Sequence, residues 1–316
     1  MIPSSPAICL PCKPVTIEGA EKVPHWTTRD ALDIVTPDAA SRVHILSPFD
    51  PLIIQRKRLK LMFTSASQRE QTGLTRWLIR RMDAVVATSD RTNAYLENPG
   101  HVIMHGIDTE GFAPSPDRAA LRAELKLPVN ATLVGCYGRI RAQKGTDAFV
   151  EAMLPILRDN PDVVALVMGR ATEKYESFEK GLKDRARAEG LSDRMLFLPE
   201  VPVGDMADFY RVLDLYVAPQ RWEGFGLTPI EAMACGVPVV ATRVGAFEKL
   251  VVQGTTGLLV DPDDIPALEA ATRDALSDRT RLAAWAEAGR SYVMSDFSIA
   301  REAAALVKIY RKLLAA

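Results

Sequence analysis

The sequence predicts an α/β protein with two domains, each built on a parallel sheet. The chain has 316 residues, which is enough for two domains of about 150 residues each. Short runs rich in Val, Ile and Leu alternate with helical patterns, as they do in βαβ units. The second half shows this alternation most clearly and predicts a doubly wound sheet, which binds nucleotides where its strand order reverses.

The composition is that of an ordinary globular protein, with 47% hydrophobic and 25% charged residues. A formal net charge of −1 gives no reason to expect nucleic acid as a partner. No apolar run reaches the roughly 18 residues of a membrane span, and the first residues lack a secretory signal pattern. Four cysteines, two of them in the lone C-x-x-C of Cys9 and Cys12, predict a reducing cytoplasm rather than a disulfide scaffold.

In the first 112 residues the alternation of strands and helices is less regular and has fewer elements. Strands are predicted at 41–47, 60–65, 83–89 and 102–104, with an amphipathic helix at 75–82. His105 follows the last of these strands, and two interpretations of it stay open. It either reaches the cleft between the domains or bonds the backbone of its own turn, and the second is slightly favoured.

Eight basic residues crowd this part of the chain. They form either a solvated face, which is the commoner case, or a surface that attracts an anionic membrane or a phosphorylated lipid acceptor. The residues are Arg56, Lys57, Arg58, Lys60, Arg69, Arg76, Arg80 and Arg81.

The second domain is predicted over residues 113–294, after a proline-containing linker. Its strands are expected at 131–138, 162–168, 194–198, 214–218, 237–241 and 256–260, and its helices at 118–126, 146–158, 173–189, 204–213, 228–235, 246–251, 265–277 and 280–293. A last amphipathic helix is expected from 295 to 314, because apolar residues recur there every three or four positions.

The stretch 218–240 holds the strongest candidate site. It is predicted to form the end of a strand, a glycine loop, a helix and a second strand. Glu223 lies on the loop, and Glu231 lies about one turn inside the helix. Gly224 and Gly226 let a ligand approach the backbone closely, and the helix N-terminus adds partial positive charge. Glu231 is placed to accept hydrogen bonds from vicinal hydroxyls. Taken alone, both glutamates could equally be solvated charges.

A second loop strengthens this prediction. Arg139 and Lys144 flank the loop that follows the strand at 131–138. A guanidinium binds diphosphate oxygens as a fork, and an ammonium adds a mobile point charge. We therefore expect diphosphate binding rather than two ordinary surface charges. A dehydrogenase is disfavoured because no G-x-G-x-x-G follows a strand.

These two loops resemble the signature of retaining GT-B glycosyltransferases of family 4, also called group 1. The run E-G-F-G-x4-E, followed by A-x-A-x-G-x-P-V-V-A-T, spans residues 223–242, and a G-R-x(n)-K-G clamp spans 138–145. Gly245, Gly254 and Gly257 match the loop and hairpin that usually follow. The resemblance covers Val102 to the C-terminus well and the first hundred residues weakly. Within the family, the runs FTSASQR at 63–69, TRWLIRRMDAVVATS at 75–89 and HGIDTEGFAP at 105–114 look most like lipopolysaccharide-core mannosyltransferases.

The resemblance implies a GT-B fold, in which two Rossmann-like domains face each other across a cleft. Residues 1–112 would form the acceptor-side domain, 113–294 the nucleotide-sugar domain, and 295–316 a helix that crosses back to the first domain. Members normally open with a strand and a glycine-rich loop, which we do not find, so the N-terminal domain is expected to be shortened. Members also often have T-x-H where this chain reads Thr64, Ser65, Ala66.

The resemblance also implies a metal-independent, retaining transfer of a hexose. Arg139 and Lys144 would hold the donor diphosphate, and Glu223 would fix donor-sugar hydroxyls, as the three catalytic residues. The other donor-binding residues would be Gly138, Arg170, Gly224, Phe225, Gly226, Leu227 and Glu231. No metal and no cofactor beyond the donor are expected.

The favoured donor is GDP-mannose, and the favoured acceptor is a lipopolysaccharide core or another glycolipid or glycan. The expected location is the cytoplasm, with peripheral contact to the anionic inner face of the cytoplasmic membrane. The alternative is a nucleotide-sugar-binding protein whose transferase activity is weak or lost, because its N-terminal domain is shortened.

Overall fold

The computed structural model describes residues 43–46, 60–65 and 70–315. Several predictions lie outside these residues. They concern the Cys9 and Cys12 pair, the basic residues of 56–58 and Arg69, the T-x-H position at Ala66, and the shortened start of the N-terminal domain.

The first sheet contains four parallel strands in the order β1-β2-β3-β4. Their bounds are β1 Val43–Leu46, β2 Lys60–Ser65, β3 Ala84–Ala87 and β4 His101–Val102. Two helices accompany it, α1 Gly73–Ile79 and α2 Asp90–Asn93. All four predicted strands are present, although β4 is shorter than predicted. Helix α1 begins before the predicted Thr75 because the Thr72 hydroxyl caps it, accepting a hydrogen bond from the Thr75 backbone at 3.3 Å.

The second sheet contains six parallel strands in the order β10-β9-β8-β5-β6-β7. Their bounds are β5 Thr132–Tyr137, β6 Val163–Met168, β7 Met195–Leu198, β8 Leu215–Ala218, β9 Val239–Thr242 and β10 Gly257–Val260. Strand β5 starts the series and pairs with both β6 and β8, so the order reverses between β5 and β8. This is the doubly wound order, and it confirms the predicted switch point.

Nine helices flank this sheet or follow it within the described residues. They are α3 Arg118–Glu124, α4 Thr146–Asp159, α5 Glu176–Ala188, α6 Met206–Arg211, α7 Thr228–Ala234, α8 Phe247–Leu250, α9 Ile265–Ser277, α10 Arg279–Asp296 and α11 Ile299–Ala315. Short 3-10 turns precede α4, α5 and α6, at Ala142–Lys144, Glu173–Tyr175 and Val203–Asp205. Among these helices, none has both the length and the apolar character that crossing a bilayer demands.

Apolar side chains cover both faces of the second sheet, as a parallel sheet requires. Along β5, Leu133 and Tyr137 belong to one buried cluster, and Val134 and Cys136 to another. The alternation places helices α6 and α7 over the first face and α4 over the second. The strand ends that carry the candidate loops therefore rest on a core that is packed from both sides.

The start of the last helix is wrong in the sequence prediction, because α10 continues to Asp296 and α11 begins at Ile299. The break between them contacts the segment after β4. The Ile107 backbone N–H donates to the Phe297 carbonyl at 2.8 Å, and the Ile299 N–H donates to the Ile107 carbonyl at 3.1 Å. The predicted domain boundaries after residues 112 and 294 stay predictions.

Candidate functional site

Two loops meet at the switch point of the second sheet. We call residues 138–145, after β5, the clamp loop and residues 219–227, after β8, the glutamate loop. Gly145 has a φ of 69°, and a Cβ built on it would lie 1.8 Å from the Pro219 carbonyl oxygen. Only glycine tolerates both the backbone conformation and this approach. The two loops are therefore in direct contact.

Lys144 and Glu223 form an ion pair across this contact. Their side chains are mostly buried, with 23% and 15% of their surface exposed. The second carboxylate oxygen of Glu223 accepts from the Gly224 backbone N–H at 3.1 Å. The structure thus joins two of the three residues predicted as catalytic, at the predicted edge of the sheet.

Arg139 lies on the open side of the clamp loop. It is exposed, as is Gly138, whose φ is 136°. A Cβ added to Gly138 would meet no atom within 4 Å, so free space borders the loop here. An exposed guanidinium beside open space suits a group that binds a charged ligand from solvent.

Close contacts fix the glutamate loop, and at two glycines they leave no room for a side chain. Gly226 has a φ of 84°, and a Cβ there would lie 2.3 Å from the Phe247 ring. Gly245 has a φ of 57°, and its Cβ would lie 2.3 Å from the Glu223 carbonyl oxygen. The Thr242 hydroxyl donates to the Gln220 carbonyl at 2.6 Å. The loop that positions Glu223 therefore has little freedom.

Phe225 and Leu227, which were predicted to bind the donor, pack their side chains against the core of the second sheet. Phe225 is 5% exposed and belongs to the buried cluster under the sheet, and Leu227 packs against the same cluster. The Phe225 side chain is therefore in the core, whereas Leu227 is partly exposed. The sequence pattern could not distinguish a side chain in the core from one that contacts a ligand.

The His105 imidazole contacts Phe225 edge-to-face, with ring centroids 5.1 Å apart. Its Nδ1 lies 3.0 Å from the Glu302 carboxylate in α11, and the second Glu302 oxygen accepts from the Gly106 N–H at 2.8 Å. The favoured interpretation, a turn residue that bonds its own backbone, is therefore wrong. His105 instead connects the segment after β4 to the glutamate loop and to α11.

Glu231 lies in the first turn of α7, as predicted, and accepts a hydrogen bond from the Tyr210 hydroxyl at 2.9 Å. Glu231 is half-buried, and the removal of water around its carboxylate raises its pKa to about 7, while the Tyr210 hydrogen bond acts in the opposite direction. Tyr210 is fully buried, with its ring centroid 5.3 Å from that of Tyr137 and 5.4 Å from that of Tyr216. Sequence reasoning missed Tyr210, because a buried aromatic on an amphipathic helix is usually only core.

Arg170 follows β6 at the other side of the clamp loop. Its side chain is 74% exposed and lies 3.3 Å from the Glu200 carboxylate, which follows β7. Its carbonyl accepts from the Ile140 N–H at 3.2 Å. A Cβ on the preceding Gly169 would lie 1.9 Å from the Gly138 carbonyl oxygen, so the backbones of the two strand ends are in close contact.

A cavity of about 400 Å³ lies between the two sheets' loops. The Arg91 guanidinium and the Glu248 carboxylate lie 3.8 Å apart across it. The cavity is lined by Ser89, Asp90, Arg91 and Met104 from the first part of the chain and by Gly245, Ala246, Glu248 and Lys249 from the second. Because Gly245 contacts the Glu223 backbone, this space adjoins the glutamate loop.

A larger cavity of about 510 Å³ lies at the opposite edge of the second sheet. It is lined by residues at the starts of strands, such as Thr132 and Val163, whereas the candidate loops follow strand ends. We therefore take the switch point and the adjoining smaller cavity as the candidate site. In the described part of the chain, no three His, Cys, Asp or Glu side chains are grouped to hold a metal ion.

The chain matches the family model described as glycosyl transferases group 1 over residues 117–292, which is more than half of its length. It is 51% identical to the lipopolysaccharide core biosynthesis mannosyltransferase LpsB of Rhizobium meliloti strain 1021, over 82% of this chain and 74% of that protein. It is 48% identical to the lipopolysaccharide core biosynthesis mannosyltransferase LpcC of Rhizobium leguminosarum bv. viciae, over 83% and 73%.

Among solved structures, sucrose-phosphate synthase of Thermosynechococcus elongatus superposes with a TM-score of 0.72 at 27% identity, covering 82% of this chain and 69% of that one. The same two-domain GT-B architecture accounts for the paired parallel sheets described above. The family match, the identities and the fold agree, and the chain is a glycosyltransferase that belongs to group 1.

Proposed function

We propose that the protein transfers mannose from GDP-mannose, with retention, to a lipopolysaccharide-core acceptor. The observation that carries the proposal is the Lys144–Glu223 ion pair at the switch point, with Arg139 exposed on the same clamp loop and Glu231 on the next helix. The names of the two Rhizobium relatives support both mannose and the lipopolysaccharide core. Guanine and retention rest on the resemblance of the motifs.

The donor diphosphate is proposed to replace Glu223 as the partner of Lys144. A diphosphate carries more charge than a carboxylate and presents several oxygens, so the mobile ammonium transfers to it readily. Arg139, which borders the open side of the clamp loop, binds the same group as a fork. Together the two cations stabilise the charge that develops on the leaving diphosphate. They supply the role that a metal ion has elsewhere, and no metal or other cofactor is required.

Glu223 and Glu231 are proposed to bind opposite ends of the donor. Once Lys144 has moved to the diphosphate, the Glu223 carboxylate accepts hydrogen bonds from hydroxyls of the donor sugar. The Glu231 carboxylate, held by Tyr210, accepts hydrogen bonds from the ribose hydroxyls. Backbone N–H groups of Gly224 to Leu227 complete the site around the phosphates.

The acceptor is proposed to enter through the cavity between Arg91 and Glu248. This cavity adjoins Glu223 through Gly245, so an acceptor hydroxyl placed there reaches the donor sugar. Closure of the cavity around both substrates excludes water, which would otherwise hydrolyse the donor.

Helix α1 is proposed to contact the anionic inner face of the cytoplasmic membrane, where a glycolipid acceptor would be met. Leu74 and Trp77 are 60% and 42% exposed on it. The Arg81 guanidinium lies 3.7 Å from the centre of a Trp77 ring, and Arg76 is on the same helix. Tryptophan favours the membrane interface, and basic residues are attracted to anionic headgroups.

The experiment that tests the function is a transfer assay with a lipopolysaccharide acceptor truncated at the core. The purified chain is incubated with this acceptor and either GDP-mannose or UDP-glucose, and the acceptor mass is measured. The expected result is the gain of one hexose from GDP-mannose only. Donor binding without any gain would instead favour the alternative, a nucleotide-sugar-binding protein that has lost turnover.

A further inference from the structure

Arg221 connects the clamp loop and the glutamate loop, and it lies two residues before Glu223. Two of its guanidinium nitrogens donate to the Asp147 carboxylate at 2.6 and 2.9 Å. It also donates to the Asp263 carboxylate at 2.5 Å and to the Ala142 carbonyl at 2.5 Å. One side chain thus joins the clamp loop, the first turn of α4 and the loop after β10.

The backbone of Arg221 adds a further contact to the clamp loop. Its N–H donates to the Gln143 carbonyl at 3.0 Å. The Ala142 and Gln143 carbonyls both belong to the 3-10 turn that ends at Lys144. A turn of this kind has poor hydrogen-bond geometry of its own and is seldom longer than three or four residues. Arg221 thus bonds two carbonyls of the turn that carries Lys144.

Besides the close backbone approach at Gly145, two sets of contacts by charged side chains connect the two loops. The Lys144–Glu223 ion pair is the first, and in the proposed function the donor diphosphate breaks it. The Arg221 contacts are the second, and none of them involves Lys144 or Glu223. They persist when the donor separates the ion pair.

We infer that Arg221 is a positioning residue that holds Lys144 at a fixed distance from Glu223 while the donor is bound. The inference rests on the proposed function, since it requires Lys144 to bind the diphosphate. Arginine is needed because only a planar fork reaches two carboxylates and a carbonyl at once, whereas lysine carries a single point charge. Arg221 acts through Lys144 and touches no reacting atom.

If Arg221 contributed only to stability, its replacement would have a different effect from the loss of a positioning residue. The Arg221 side chain is 27% exposed, and ion pairs at such positions add little to stability. A matched control exists in Arg273, which is 33% exposed and bonds two carboxylates, Glu269 at 2.8 Å and Asp159 at 2.7 Å. If Arg221 only contributes ion pairs, replacing either arginine has the same effect.

The test compares Arg221→Ala, Arg221→Lys and Arg273→Ala with the wild type, and repeats Arg221→Ala in a Lys144→Ala background. Donor affinity is measured by titration with GDP-mannose, turnover by mannose transfer, and stability by thermal unfolding. We expect Arg221→Ala to lower turnover about 100-fold, the cost of misplacing a catalytic group by about 1 Å. Arg221→Lys should stay at least about 10-fold below wild type, because its charge does not replace the fork.

In the Lys144→Ala background, Arg221→Ala should cost less than about threefold, because the group it positions is already absent. Arg273→Ala should leave turnover unchanged and lower the melting temperature as much as Arg221→Ala does. Fully additive losses in the double variant, or equal turnover in Arg221→Ala and Arg273→Ala, would overturn the inference and leave the proposed function intact. A wild type that binds no GDP-mannose would instead overturn the proposed function, and the inference with it.

Discussion

The described residues around the two sheets differ in how their apolar side chains are buried or exposed. The second sheet has six strands with buried apolar clusters on both faces, and its site loops are fixed by glycine contacts. Among the described residues of the first part, the buried cluster around α1 contains Ile79, Ala87 and Leu96, and Leu74 and Trp77 face solvent. A rigid scaffold suits a charged donor with one geometry, whereas an exposed amphipathic surface suits a lipid-bound acceptor.

This contrast predicts that small changes in the clamp loop and the glutamate loop strongly affect stability and ligand binding. Changes on the exposed surface of α1 should affect only contacts with large partners. Replacing Gly145 with alanine should give the largest effect. Its added Cβ would lie 1.8 Å from the Pro219 carbonyl, so the clamp loop must move. We expect a loss of about 3 kcal/mol or more in the free energy of unfolding, together with loss of donor binding.

The matched control for this change is Gly190→Ala. Gly190 has the same φ of 69°, but a Cβ there meets no atom within 4 Å. Only the backbone penalty of about 1–2 kcal/mol should remain, and donor binding should be unchanged. Urea unfolding and nucleotide titration measure both quantities. Equal effects of the two substitutions would mean that the contact between the loops is not essential.

The second prediction concerns the pH dependence that Glu231 brings to the donor site. The pKa of Glu231 is raised from 4.5 to about 7. Between these two pH values the folded protein keeps a proton on Glu231 that the unfolded chain has released. The free energy of unfolding should therefore fall as pH rises from 4.5 to 7, and the full destabilisation by the buried carboxylate is present above pH 7. Glu231→Gln should be more stable than wild type by about 1–3 kcal/mol at pH 8, with little difference at pH 5.

The same substitution should weaken donor binding, because the carboxylate is the better acceptor for ribose hydroxyls. Wild-type affinity should fall about 10-fold from pH 8 to pH 6 as Glu231 becomes protonated, and Glu231→Gln should show no such fall. Thermal unfolding and titration at both pH values test this. A variant that is less stable than wild type at pH 8 would show that the carboxylate supports the fold rather than the ligand.

The smallest effect is expected at the exposed surface of the first part of the chain. Trp77→Ala should weaken binding to vesicles that contain anionic phospholipid by about 1–2 kcal/mol, because an interfacial tryptophan is lost. Donor affinity should not change. Trp222→Ala is the matched control for vesicle binding, since Trp222 is 39% exposed but lies on the glutamate loop. Equal loss of vesicle binding in both variants would contradict a specific membrane surface.

The sequence was sufficient for most of the fold and for the meeting of the two candidate loops. Strand β2 and helix α9 match the predicted bounds of 60–65 and 265–277 to the residue. These predictions succeeded because apolar periodicity is local. The contact between the clamp loop and the glutamate loop also followed, since the doubly wound order makes β5 and β8 neighbours.

The supporting contacts could not be predicted, because they join residues that are distant in the chain. Arg221 is 74 positions from Asp147, and His105 is 197 positions from Glu302. No local pattern distinguishes such an arginine from an ordinary surface charge. The motif likewise did not show that the Phe225 side chain lies in the core, and the predicted donor contact of this residue stays a prediction.

The most direct test of the account is a calorimetric titration of wild type and Lys144→Ala with GDP-mannose and UDP-glucose. We expect wild type to prefer GDP-mannose and the variant to bind it about 100-fold more weakly, the loss of a charge-assisted contact with the diphosphate. Lys183→Ala, which breaks an exposed ion pair with Glu179, should bind as wild type does. Undiminished binding by Lys144→Ala would contradict the assignment of the clamp loop to the donor.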